Sequence, residues 1–119
     1  MIKGWFAPGT GLPLVKARVW LGESGVRIDV DCLVDITIPR SSLSTADLPA
    51  VQRSPADRTD VRAILTLDHE DGSRSGFFLD MHLTDADYSR LGRDVLERTV
   101  MVYDPRGGNL LVEVLDGDL

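Results

Sequence analysis

At 119 residues, 43% hydrophobic and 27% charged, the chain has the size of one domain with a modest core. Its net charge of -6 argues against a nucleic-acid partner, because phosphate recognition needs clustered Lys and Arg. No apolar run reaches the length of a membrane span and residues 1–9 lack a long apolar leader, so no membrane partner is expected and a cytoplasmic location is the default. A lone cysteine, Cys32, excludes an internal disulfide. It lies in an apolar stretch, where it reads as a small buried hydrophobe.

Strand patterns dominate from the start. Val15, Ala17, Val19 and Leu21 alternate with Lys16, Arg18 and Trp20, and Val26, Ile28, Val30, Cys32 and Val34 alternate after Gly22-Glu23-Ser24-Gly25. Two such runs joined by a Gly-containing link predict a hairpin. Asp29 and Asp31 fall on its solvent face. Residues 41–51 read as a loop with a short helix, which Ser44 caps, with Asp47 in the capping-box position. Residues 53–60 are polar, contain Pro55 and read as a loop.

A second hairpin is predicted around Glu70-Asp71-Gly72-Ser73, since Gly takes a positive φ at little cost. Val61, Ala63, Leu65 and Leu67 precede it; Phe77, Leu79, Met81 and Leu83 follow. Tyr88, Leu91, Val95 and Leu96 then share one helical face. Thr84, Asp85 and Asp87 are candidate caps for that helix, and Arg98 near its end suits its dipole. Strands over residues 99–103 and 110–115 close the chain around the turn Asp104-Pro105-Arg106-Gly107-Gly108-Asn109. No internal repeat or linker divides it. The expected architecture is a single all-β domain over residues 1–119, a small closed or partly closed barrel with one late α-helix and one short helix.

Two motifs carry a family resemblance: Leu33-Val34-Asp35 at a strand end, and Leu91-Gly92-Arg93-Asp94-Val95-Leu96 at the late helix. With them stand Ile2-Lys3-Gly4-Trp5-Phe6, Glu70-Asp71-Gly72 and Tyr103-Asp104-Pro105, in place and order. Over nearly its whole length the chain resembles the retropepsin-like aspartic proteases, and among them the short bacterial members. The resemblance implies an acid-protease-like barrel, no cofactor, and a homodimer. The N-terminal strand with Trp5 and Phe6 would interleave with residues 110–115 to close the interface. It places Asp35 as the catalytic carboxylate, one from each subunit. Two acids held together cannot both ionise, so they share a proton. One then activates a water while the other donates to the peptide carbonyl oxygen.

The active-site loop departs from that pattern. The family reads Asp-Thr-Gly; here Asp35 is followed by Ile36, Thr37, Ile38 and Pro39. Ile36 has no hydroxyl to tie two such loops together, Thr37 brings a β-branched side chain where glycine stood, and Pro39 has no amide hydrogen. Gly92, Arg93 and Asp94 are expected as structural support, with Arg93 paired to Asp35, Asp94, Glu97 or nothing. Residues 53–60, where the family carries a Gly-rich flap, hold no glycine. His69 and His82 do not have metal-ligand spacing, so no metal site is expected, and Asp80, Asp85 and Asp87 read as a solvated rim. Two functions follow. One is a retropepsin-like domain with a degenerate site and weak or absent endopeptidase activity, which holds an extended peptide or unfolded segment by strand addition. The other is an active homodimeric aspartic endopeptidase.

Overall fold

Alternation in the sequence becomes strands with one buried face. The computed structural model describes residues 1–22, 24–48 and 60–119. In β3 (Pro13–Leu21) and β4 (Arg27–Val34) the residues Val15, Ala17, Val19, Val30 and Cys32 are buried while Lys16, Asp29 and Asp31 face solvent. The two strands pair antiparallel from Leu14↔Leu33 to Trp20↔Arg27. Further along, β6 (Asp60–Asp68) and β7 (Arg74–Thr84) form the second hairpin, in register from Asp60↔His82 to Asp68↔Arg74. At its tip Gly72 has φ 88°, the conformation that only glycine adopts freely.

Two short strands complete the wall: β5 (Ser42–Ser44) and β8 (Ser89–Leu91). The strand order β3-β4-β8-β5-β7-β6 closes on itself because β6 returns to β3, pairing Arg18↔Thr66 through Leu21↔Ala63. The result is a closed six-stranded barrel. A lip strand, β2 (Trp5–Phe6), pairs with β3. A separate three-stranded sheet, ordered β1 (Ile2–Lys3), β10 (Asn109–Val114), β9 (Thr99–Asp104), closes one side of the barrel. Its Ile2, Leu110 and Val112 join the core that holds Val15, Leu65, Phe77 and Met81. Fully burying each such side chain is worth about 1.5–3 kcal/mol. Cys32 lies in the same core, and burial pushes its thiol pKa up to about 12. No helix of the described residues is long and apolar enough to cross a membrane.

The all-β barrel with one late helix and one short helix is as the sequence predicts, but the boundaries of the late helix are not. Only α1 (Arg93–Leu96) is helical. Ser89–Leu91 is instead strand β8, which pairs in parallel with β4 (Cys32↔Ser89, Val34↔Leu91). Tyr88, Leu91, Val95 and Leu96 suit a helical face, but closing the barrel between β4 and β5 requires a strand there. Gly92 is the N-cap of α1 and makes no side-chain cap bond, so the capping role expected of Thr84, Asp85 and Asp87 is not played. The short helix is a single 3₁₀ turn, Thr45–Asp47, capped by Ser44, whose hydroxyl accepts from the Ala46 amide. The reciprocal half of the box runs through Ser89. The Ser44 amide donates to Ser89 Oγ at 2.9 Å, and that hydroxyl donates to Asp47 Oδ2 at 2.6 Å. The expected loop at 53–60 lies outside the described residues except for Asp60, which begins β6.

Candidate active site

Strand β4 ends at Val34, and the next amide, that of Asp35, donates to Leu91 O at 3.0 Å, extending the parallel ladder by one residue. The Asp35 side chain is therefore anchored where β4 and β8 diverge. Its carboxylate is occupied on both oxygens. Oδ1 accepts from the Thr37 amide at 2.9 Å and from the Thr37 hydroxyl; Oδ2 accepts from Arg90 Nη1 at 2.8 Å. These donors hold the Asp35 pKa below its ordinary value of 3.8. The Thr37 hydroxyl contributes most; partial burial, the next largest effect, opposes it, and the Thr37 amide and the Arg90 guanidinium add lesser lowering contributions.

The active-site loop residues have distinct placements. Ile36 is 62% exposed, a large apolar side chain at the surface of the single chain. Among the described residues no residue other than glycine has positive φ, so Thr37 stands where the family has glycine without a left-handed backbone. It curls back on Asp35 in a turn two residues long, of the kind aspartate favours. Ile38 lines the groove described below.

Behind the loop stands the second motif. The Arg93 amide donates to Ile38 O at 2.9 Å and the Asp94 amide to Pro39 O at 3.1 Å. The Asp94 carboxylate accepts from the Ser41 amide, 3.0 Å from each oxygen, and from the Ser41 hydroxyl at 2.6 Å. Ser41 Oγ in turn accepts from the Gly92 amide at 3.0 Å. A Cβ on Gly92 would lie 2.6 Å from the Arg40 carbonyl carbon and 2.8 Å from its oxygen, so only glycine fits against this backbone. Gly92 and Asp94 thus clamp residues 38–41 from behind. Arg93 is exposed, and among the described residues its side chain makes no ion pair, the last of the alternatives left open for it.

Arg90 holds the place on Asp35 that the sequence offered to Arg93. The helical face read from Tyr88, Leu91, Val95 and Leu96 gives no role to Arg90. The signal that finds it is the parallel register Leu33↔Arg90, which brings the two motifs side by side. Among the described residues Arg90 Nε is buried without a hydrogen-bond partner. An orphan of that kind costs on the order of 1–3 kcal/mol, a sign that the guanidinium is held for its charge.

Beside the Asp35–Arg90 pair opens a groove of about 500 Å³. Ile38, Pro39 and Ala86 give it apolar walls, and Arg40, Arg90, His82, Ser42 and Thr84 supply polar atoms. Arg40 is tied across it: Nη2 donates to Asp60 Oδ1 at 2.8 Å and to Asp80 O at 2.9 Å. His82 Nδ1 lies 3.6 Å from the same Asp60 oxygen. The Arg40 hydrogen bond, more than His82, holds the Asp60 pKa below its ordinary value. The other histidine, His69, lies away from this groove and bonds Ser75 Oγ at 2.7 Å. Among the described residues no group of three or more His, Cys, Asp or Glu could hold a metal ion.

The arrangement offers one carboxylate with a lowered pKa, paired with a guanidinium that lines a groove of about 500 Å³. Neither a scan against protein-family models nor a search of the curated proteins found a match to this chain.

Proposed function

We propose that the chain is a retropepsin-like domain that forms a homodimer and holds an extended peptide or unfolded protein segment in the groove beside Asp35, with aspartic endopeptidase activity weak or lost. The observation that carries this reading is the occupancy of Asp35 by Arg90 and Thr37. A two-aspartate mechanism needs one acid protonated and one ionised at the working pH. Here each acid already has a cation at 2.8 Å, so each copy is stabilised as its own ion pair and has less tendency to share a proton. The exposed Ile36 has no hydroxyl with which to bridge two loops. The groove itself keeps apolar walls and fixed polar atoms, which suit side-chain recognition along an extended peptide.

The test incubates a labelled unstructured protein with the purified chain from acidic to neutral pH, following anisotropy for binding and gel mobility for cutting. Binding without cleavage, lowered by Ile38→Asp in the groove wall, is expected. Cleavage that disappears in Asp35→Asn would establish the alternative, an active homodimeric endopeptidase in which Asp35 of each subunit activates water. Neither binding nor cleavage at any pH would overturn both.

A further inference from the structure

The resemblance assigns the dimer interface to the N-terminal strand and to residues 110–115, yet both are paired within one chain. Strand β10 has β1 on one side and β9 on the other, and β2 is hydrogen-bonded to β3. The ends of the order β1-β10-β9 are β1, two residues long, and β9, six residues long, so among the described residues β9 is the longer edge strand of this sheet. Its phase follows from one bond: the Leu115 amide donates to Arg98 O at 2.9 Å. Counting in twos along the antiparallel ladder, Val100 and Val102 exchange hydrogen bonds with Glu113 and Leu111. The amides and carbonyls of Thr99, Met101 and Tyr103 therefore point away from β10, where among the described residues no strand receives them.

An edge of this kind is normally blunted by a charge, a proline or a covering loop. Residues 99–103 read Thr-Val-Met-Val-Tyr and contain neither charge nor proline. Val100 is 53% exposed, Val102 45% and Tyr103 54%.

We infer that β9 pairs antiparallel with β9 of a second copy about a two-fold axis through Met101, joining the two small sheets into one of six strands. The proposal rests on the homodimer reading above and specifies its interface. A second copy is the occupant because the edge is self-complementary under that axis. Met101 then exchanges bonds with the partner's Met101, and Thr99 with the partner's Tyr103, which are the residues whose backbone groups are free. Val100 falls opposite the partner's Val102, a β-branched cross-strand pair on the outer face. That face continues the pattern: Leu111 neighbours Val102 and Lys3 neighbours Leu111, while Glu113 neighbours Val100. Each row across the joined sheet runs from Glu113 of one copy through Val100 to the partner's Val102, Leu111 and Lys3. An apolar centre is thus closed by opposite charges at its ends.

The register is tested by charge. In Val100→Lys/Val102→Lys the facing positions carry like charges; in Val100→Lys/Val102→Glu they carry opposite ones. Light scattering on size-exclusion fractions should give the mass of two chains for the unmodified protein. It should give one chain for Val100→Lys/Val102→Lys, with a dimer dissociation constant raised by more than about tenfold, and two chains again for Val100→Lys/Val102→Glu. Circular dichroism should be the same for all three, since both positions are exposed in the single chain. A one-chain mass for the unmodified protein overturns the homodimer reading and this interface together. A two-chain mass that survives Val100→Lys/Val102→Lys leaves the homodimer standing and overturns the β9 edge. A one-chain mass for both double variants overturns the register through Met101.

Discussion

Two aspartates sit one loop apart and do opposite things. Asp94 faces backward: its carboxylate takes every hydrogen bond that Ser41 can donate and fixes the loop to α1. Asp35 lies beside the groove through its partner Arg90, and its bonds come from the Arg90 guanidinium and from Thr37, its neighbour two positions on. The first is an acid used as a structural acceptor inside a clamp. The second is a part-buried acid beside a groove, its side chain 12% exposed, with its charge stabilised by a guanidinium. The difference teaches that the intact motif and the altered motif of this chain have separable jobs: the clamp specifies where the loop lies, and the loop's own residues specify what its acid can do.

The sharpest way to break that separation is through Gly92. Gly92→Ala places a methyl 2.6 Å from the Arg40 carbonyl carbon, and neither backbone can retreat without losing the bonds at Ile38 and Pro39. A loss of about 2–4 kcal/mol in urea unfolding is expected. A loss within error of zero would show that the loop is not clamped. Asp94→Ala strands the buried Ser41 amide and hydroxyl and should cost about 1–3 kcal/mol. Arg93→Ala, on the same turn but exposed and without an ion pair among the described residues, should stay within about 0.5 kcal/mol. Equal losses for Asp94→Ala and Arg93→Ala would contradict the division of roles within the motif.

This clamp was the part of the site most legible in the sequence. The resemblance implies structural support from Gly92, Arg93 and Asp94, and the barrel's two long hairpins follow from period-two alternation and the turns at residues 22–25 and 70–73. The illegible part has one physical source. Residues 88–91 carry apolar side chains at positions 88 and 91, a spacing that satisfies a helix, while their actual conformation is dictated by unpaired edges of β4 and β5 distant in sequence. A three-residue strand is too short for its alternation to be distinguished from helical spacing. Misplacing β8 hid Arg90, and with it the electrostatics of Asp35. The β9 edge was hidden for a related reason: residues 99–103 read as a strand, but which of its sides lies open depends on the pairing of β10 between β1 and β9.

The smallest effects probe Asp35 itself. Its folded-state pKa lies below the ordinary 3.8, so between the two values the unfolded chain binds more protons than the folded one. Stability from this group is therefore complete above the ordinary value and is lost as pH falls through the folded one. Thr37→Val removes the largest single cause of the shift, and Arg90→Leu removes both a hydrogen bond and a charge, so both should raise the Asp35 titration midpoint. Carboxyl-carbon NMR titration reads this directly. Each variant's stability curve should fall less steeply with acid than that of the unmodified protein, by about 1 kcal/mol or less for a pair whose guanidinium is one-third exposed. Other carboxylates held low, Asp118 by Arg98 and Asp60 by Arg40, contribute to the same acid limb, so the variant-minus-parent difference is the quantity that isolates Asp35. An unchanged Asp35 midpoint in Arg90→Leu would mean that the ion pair has no hold on the acid. The case for a silenced dyad would then rest on Thr37 and Ile36 alone.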